Sequence, residues 1–395
     1  MWTLPQVDRA FRQATDSKEV PGVVAVAATD KEIIYEGVAG RRDITKPDPM
    51  TIDTVFWIAS MTKAITGAAA MQLVEQGKLA LDEPISKVLP GLASVQVLEG
   101  FDAKGKAKLR PASRPITLRH LMTHTAGFAY DMWNADIVKH MEQAGIPGIV
   151  SCTNKALTTP ICSDPGTRWE YGINIDFVGK AVEAVSGKTL ESYFKDHIFG
   201  PLGMKDTGFK LGASQRARLV AMHARAADGT LAPIPFEVPQ DPEFHMGGGG
   251  LYGTARDYIA FIRMLLNGGI LNGNRILKSE TVRMMAQNHI GNLNVLPMKT
   301  ALPQFTNDVV LYPEQDKKWG LSFLINTKKT AEGRNAGSLA WAGLANTYFW
   351  LDPSAKIGGV ILTQLLPFAD AKVLGLFSAF ERGVYQSQDQ HKQAA

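Results

Sequence analysis

Ser60 and Lys63, within Ser60-Met61-Thr62-Lys63, set a hydroxyl and an amine three positions apart at the head of an apolar, small-residue run. On a helix such residues share one face, with Cβ atoms about 5–6 Å apart, so the amine can reach the hydroxyl. A serine beside a base is an activated nucleophile, and the chemistry it serves is acyl transfer through a covalent acyl-enzyme. The same spacing occurs again at Ser192-Tyr193-Phe194-Lys195. There Leu190, Tyr193, Phe194 and Phe199 form an apolar stripe, which leaves Ser192 and Lys195 on the solvated side of an amphipathic helix. Ser60 instead follows the strand-like run Thr54-Val55-Phe56-Trp57-Ile58 and opens a helix predicted over 60–76. Its backbone N–H is then one of the unpaired donors of a helix N-terminus, available to a developing oxyanion. The competing reading of Ser60 is an ordinary N-cap.

The chain has 395 residues, 45% of them hydrophobic, which suits two or three units of structure with a sizeable core. Its 42 basic and 38 acidic residues are interspersed, and the net charge of +4 forms no block. Neither a nucleic-acid nor a membrane footprint follows from that pattern, and a small molecule is the expected partner. The first residues lack the basic start and apolar run of a secretory leader, so the sequence reads as cytoplasmic. Cys152 and Cys162 flank an irregular segment; a disulfide between them is conceivable, but in a reducing compartment two free thiols are expected. His120 and His124 stand at helical spacing, but Leu121 occupies the place where a zinc peptidase needs glutamate. Both histidines read as structural, and no metal or cofactor is expected. Gly247 to Gly250 lacks the Lys-Ser/Thr of a phosphate loop and instead suits a close backbone approach to something bulky.

The elements that must position Ser60 fall into two groups. A helix over 6–14, an antiparallel hairpin of 22–29 and 32–39, and strands over 320–326, 338–341, 346–352 and 357–364 lie toward the two ends, with a closing helix over 371–387. Helical patterns dominate between them, at 118–123, 137–144, 175–186 and 190–199, with a polar surface excursion at 100–113. Helices are further predicted over 255–266 and 280–287, and an irregular stretch over 289–316. Residues 1–75 and 248–395 are therefore expected to build one sheet domain, and 76–247 an inserted, mainly helical domain. A cleft between two such units is the usual seat of a small-molecule site.

Two further segments complete a constellation. Asp164-Pro165-Gly166 is a tight turn leading to Tyr171-Gly172, which can aim a phenol into the cleft. Gly337 to Leu344 is a strand with small residues at intervals, able to dock a ligand and to offer a second backbone N–H. The Gly-x-Ser-x-Gly elbow of α/β-hydrolases is absent; Gly212-Ala213-Ser214-Gln215-Arg216 lacks the second glycine. In these elements and their order the chain resembles the penicillin-recognising serine hydrolases, with Ser-x-x-Lys, a tyrosine motif and a strand motif. More closely it is similar to the family VIII carboxylesterases and the related lovastatin-type acyltransferases. Leu118 to Gly127, Asp164 to Gly179, Gly200 to Met204 and Gly248 to Asp257 add to the likeness.

The resemblance implies a serine β-lactamase-like α/β (α+β) fold, an antiparallel sheet flanked by helices. It implies Ser60 as nucleophile, Lys63 and Tyr171 as the general-base pair, and the backbone N–H groups of Ser60 and Leu344 as the oxyanion hole. Trp341, Gly343, Tyr130 and Asn174 are expected to line the substrate site. Two departures stand out: Ile173 occupies the place of the family's asparagine after Tyr171, with Asn174 one further on, and Trp341-Ala342-Gly343 replaces Lys-Thr-Gly. Without that lysine the site offers no charge to a lactam carboxylate, so neutral esters of small to medium acyl chains are expected. An acyltransferase using the same acyl-enzyme, or a weak β-lactamase, is the alternative. A neutral Lys63 requires a shift of ~3 units from about 10.4, or about 4 kcal/mol. The other assignment keeps Lys63 charged and makes the Tyr171 phenolate the base.

Overall fold

The computed structural model describes residues 1–394, so of the range 248–395 only the last residue lies outside it. Seven strands form the central sheet: β1 (Gly22–Thr29), β2 (Ile33–Gly40), β3 (Lys317–Trp319), β4 (Leu324–Asn326), β5 (Leu339–Gly343), β6 (Thr347–Asp352) and β7 (Ile357–Leu362). Their order is β3-β4-β5-β6-β7-β1-β2, antiparallel throughout. The predicted hairpin of the first two strands is present, in register from Gly22 opposite Gly40. Strands from the two chain ends meet where β1 pairs with β7.

Successive strand residues point to opposite faces, and both faces of this sheet are covered. Phe349 packs against Tyr258 of α4 (Ala255–Leu266), while its neighbour Trp350 packs against Phe380 of α5 (Ala371–Ala394). Phe11 of α1 (Pro5–Asp16) joins Phe380 on that second face. The helix carrying Lys63, α2 (Thr62–Glu75), is buried from Thr62 through Leu73. An α-helix apolar all round belongs inside a protein, and here it is the inner support of the site.

Residues 76–247 carry helices, among them α3 (Asn174–Ser186), but also strands that the sequence did not announce. The polar excursion at 100–113 is half of a hairpin, Gln96–Phe101 with Ala107–Pro111. Met222–Arg225 pairs antiparallel with Leu231–Ile234 and parallel with Leu365–Leu366. Phe56–Trp57 pairs with Tyr252–Gly253. The ladder at 222–225 and a bridge between Val55 and Leu219 tie the middle of the chain to its ends, while Phe56–Trp57 with Tyr252–Gly253 joins the two terminal stretches to each other. The second Ser-x-x-Lys segment is as read: Ser192 and Lys195 are exposed, and Tyr193 and Phe194 are buried. Among the described residues no helix is long and apolar enough to cross a membrane.

Candidate active site

Ser60 sits in a 3₁₀ turn, Ala59–Met61, between a two-residue strand and α2, which begins at Thr62 rather than at Ser60. The turn is held from every side. Gln364 pairs with both backbone groups of Trp57, accepting its N–H at 2.7 Å and donating to its carbonyl at 3.0 Å. Ile58 N–H donates to Leu251 O at 3.0 Å, and Tyr258 Oη donates to Met61 O at 2.8 Å. Within this frame Ala59 takes φ +46°, a left-handed conformation that costs a non-glycine residue about 1–3 kcal/mol and persists only where the surroundings impose it. The Ser60 side chain caps nothing, which removes the N-cap reading.

Lys63 Nζ, fully buried, has three oxygen neighbours: Ser60 Oγ at 2.9 Å, Tyr130 Oη at 3.0 Å and Gly248 O at 2.5 Å. Its amine also lies 4.8 Å from the Tyr171 ring centre and 5.2 Å from that of Tyr130. Burial drives the Lys63 ammonium down to about 7, against the opposing pull of the Asp176 carboxylate. Burial pushes the Tyr171 phenol the other way, above its ordinary value, although hydrogen bonds with Ser60 and Trp341 oppose this. Tyr130 is raised well above the usual phenol range, again chiefly by burial. Burial thus acts in one sense on both groups, disfavouring the Lys63 ammonium and the Tyr171 phenolate alike.

Tyr171 is aimed much as its turn suggests. Gly166 takes φ +82°, and the arm 166–171 pairs with 124–130 through Gly166 N–H to Thr125 O, Glu170 N–H to His124 O and Tyr130 N–H to Tyr171 O. A Cβ on Gly172 would lie 2.2 Å from Phe128 O, so only glycine admits this approach. Trp341 Nε1–H donates to Tyr171 Oη at 3.0 Å, with the rings edge to face at 4.9 Å. The residue standing where lactam-binding relatives carry lysine is therefore a hydrogen-bond donor to the phenol as well as an apolar wall.

Gly343 lets β5 pass against the serine turn, since a Cβ there would meet Ile58 O at 2.4 Å and Thr347 Oγ1 at 2.2 Å. Ser60 and Leu344 consequently line one cavity, and among the described residues neither backbone N–H donates to a protein acceptor. That cavity encloses about 480 Å³ including its mouth. Trp57, Tyr130, Trp133, Met246, Met298 and Phe368 are among its walls. Asn174 is not: it is buried beneath Tyr171, its Nδ2 donating to His124 Nδ1 at 3.0 Å and Phe128 O at 3.1 Å. The expectation that Asn174 lines the substrate site is corrected on that ground, because it is fully buried outside the cavity and its amide nitrogen is spent on the framework. His120 closes a capping box with Thr117, and burial holds the His124 ring neutral.

Sequence reasoning missed Asp176. Fully buried on α3, it accepts Gly248 N–H on Oδ1 at 2.9 Å, and Oδ2 has no partner. Burial raises its carboxyl while Lys63 pulls it down. Gly248 is wedged between them, donating to Asp176 and accepting from Lys63, and a Cβ there would lie 2.6 Å from Asp176 Oδ2. The glycine run thus makes the close approach predicted for it. The signal for Asp176 was present, as a charge inside the otherwise uncharged run Tyr171 to Gly179.

A strained serine turn, a buried lysine touching the serine and a facing sheet strand define a penicillin-recognising serine enzyme fold. The chain belongs to the Beta-lactamase family, whose profile matches residues 7–379. It is 31% identical to the monacolin J acid methylbutanoyltransferase of Aspergillus terreus, over 97% of this chain and 96% of that one. It is likewise 31% identical to the lovastatin esterase of Penicillium rubens, over 96% of this chain and 98% of that one. Among solved structures, unliganded simvastatin synthase (LovD) from Aspergillus terreus superposes with a TM-score of 0.82 at 29% identity, covering 97% and 98% of the two chains.

Proposed function

We propose that this chain is a serine carboxylesterase acting on neutral esters of small to medium acyl chains. The observation that carries this reading is the Trp341 indole N–H on Tyr171 Oη inside an apolar cavity. It puts a neutral donor and a flat apolar wall where a β-lactam's carboxylate would need a cation.

In the proposed cycle a neutral Lys63 takes the Ser60 hydroxyl proton as Oγ attacks the ester carbonyl carbon. Its two N–H groups then remain for Gly248 O and Tyr130 Oη, so all three contacts are satisfied. The carbonyl π bond opens onto oxygen, which takes the Ser60 and Leu344 N–H groups. Loss of one such donor typically costs about 2.7–4 kcal/mol. The proton passes through the Lys63/Tyr171 pair to the departing alkoxide as the C–O bond breaks, leaving an acyl-enzyme and a free alcohol. Water, deprotonated by the same pair, attacks the acyl carbon and releases the acid and Ser60.

A second reading, acyl transfer to an alcohol, draws support from the full-length similarity to a methylbutanoyltransferase and from the apolar cavity, which disfavours water. The test is a panel of p-nitrophenyl esters and a chromogenic cephalosporin, run with and without added alcohols. Ester hydrolysis that vanishes in Ser60→Ala is expected. Rapid cephalosporin turnover with negligible ester turnover would overturn the proposal, and ester product formed at the expense of acid would favour transfer.

A further inference from the structure

The active-site cavity does not end at Trp341. Beyond it lies a second apolar cavity, about 380 Å³ with the open space at its mouth included, walled by Val309, Leu311, Leu324, Ala340, Tyr348 and Phe377. The two share Met298, Trp341, Ala342 and Phe368. The space follows from the sequence of β5: Ala340 and Ala342 fall on one face, opposite Trp350 and Tyr348, and two methyl groups leave that face unfilled. The long stretch after residue 289 roofs it. Met298 and Val309 exchange backbone hydrogen bonds at 2.9 and 2.8 Å, and Phe368 N–H donates to Phe305 O at 2.8 Å.

The far wall holds Arg334, which pairs with Glu381 through two hydrogen bonds of 2.6 Å. Both residues are buried, and the guanidinium lies 5.3–5.6 Å from the ring centres of Tyr312, Trp350 and Phe377. Its charge is matched, so the cavity presents no free ion to an anionic guest. Between the two spaces stands Met298, an unbranched thioether that changes shape at little cost.

The strand also fixes which half of an ester faces this space. The oxyanion donor Leu344 follows β5, whereas Trp341, holding Tyr171, lies within it. A leaving oxygen must face the group that protonates it, so the alcohol half runs past Tyr171 to the free edge of β5, where Met298, Ala342 and Phe368 border both cavities and lead round to the face carrying Ala340. We propose that the second cavity is the seat of the apolar chain of the leaving alcohol, making neutral esters of linear alcohols the substrate class. This rests on the esterase reading above.

The test uses two ester series followed by pH-stat: butyrates of methyl to octyl alcohol, and methyl esters of acetic to octanoic acid. Ala340→Leu fills the second cavity from the sheet, and Val309→Phe fills it from the roof, so either folded variant decides. The octyl-to-methyl ratio of kcat/KM among butyrates should fall about tenfold, through KM, while the octanoate-to-acetate ratio among methyl esters holds. An unchanged butyrate ratio overturns the inference, and so does a fall confined to the acyl series. Wild-type protein that turns over neither series refutes the esterase reading itself.

Discussion

Ser60–Lys63 and Ser192–Lys195 are the same spacing in two settings. Around Lys195 water is at hand and the helix carrying it is capped by Thr189, whose side chain accepts Ser192 N–H at 3.2 Å. Around Lys63 there are oxygens and aromatic rings, and the amine is sealed from solvent. A serine and a lysine three apart thus take their character from what is packed on them. Burial selects the neutral amine, and a strained turn presents the hydroxyl.

The largest effect separates the serines. Ser60→Ala should lower ester kcat/KM by at least ~10³ because no other nucleophile stands in the cavity, while Ser192→Ala stays within about twofold. Mass spectrometry with a slow ester should detect an acylated chain that disappears with Ser60; acylation persisting in Ser60→Ala would make the two motifs interchangeable. Next, Lys63→Met should cost ~10²–10⁴ in kcat with little change in melting temperature, against no change for Lys195→Met.

The pH profile sharpens the comparison further. A base must be unprotonated, so activity should fall with decreasing pH through the Lys63 value of about 7, about tenfold per unit below it. The Asp176 carboxylate stabilises the ammonium form, so Asp176→Asn should move that limb to lower pH. A limb that moves upward would mean that Asp176 acts by another route. The smallest effect expected is that of Trp341→Phe, which keeps a ring but removes the donor to Tyr171, at about 0.5–1.5 kcal/mol. A tenfold or smaller loss in kcat for an acetate ester would agree with that.

Much of this was legible from residue types. Ser60, Lys63, Tyr171, Trp341 and Gly343 meet in one place because each sits beside a turn, strand or glycine whose geometry is local and readable. Most of the central sheet was legible for the same reason, as runs of Val, Ile and aromatic residues, but the single strand expected over 320–326 is a turn at 320–323 joining the hairpin of β3 and β4. What the sequence hid depends on distant partners. Tyr130 is a pocket wall as read, and it is also Lys63's direct neighbour, because the arm 124–130 pairs with 166–171. Asn174 looked like a ligand contact and serves the framework. In the hairpin at 96–111 the second strand is charged and largely exposed and the first buries the adjacent pair Val97 and Leu98, so neither shows the alternation that marks a buried face.

The bridge between Val55 and Leu219, and the ladder at 222–225 with 365–366, have a consequence for how the molecule comes apart. The chain leaves the sheet, returns and is sewn to it twice near the serine turn, so neither region can melt and leave the other whole. Heating should give a single calorimetric transition, with the active site lost as the sheet is lost. The serine turn is thereby an unfolding reporter: ester turnover and the calorimetric signal should disappear over the same temperature range.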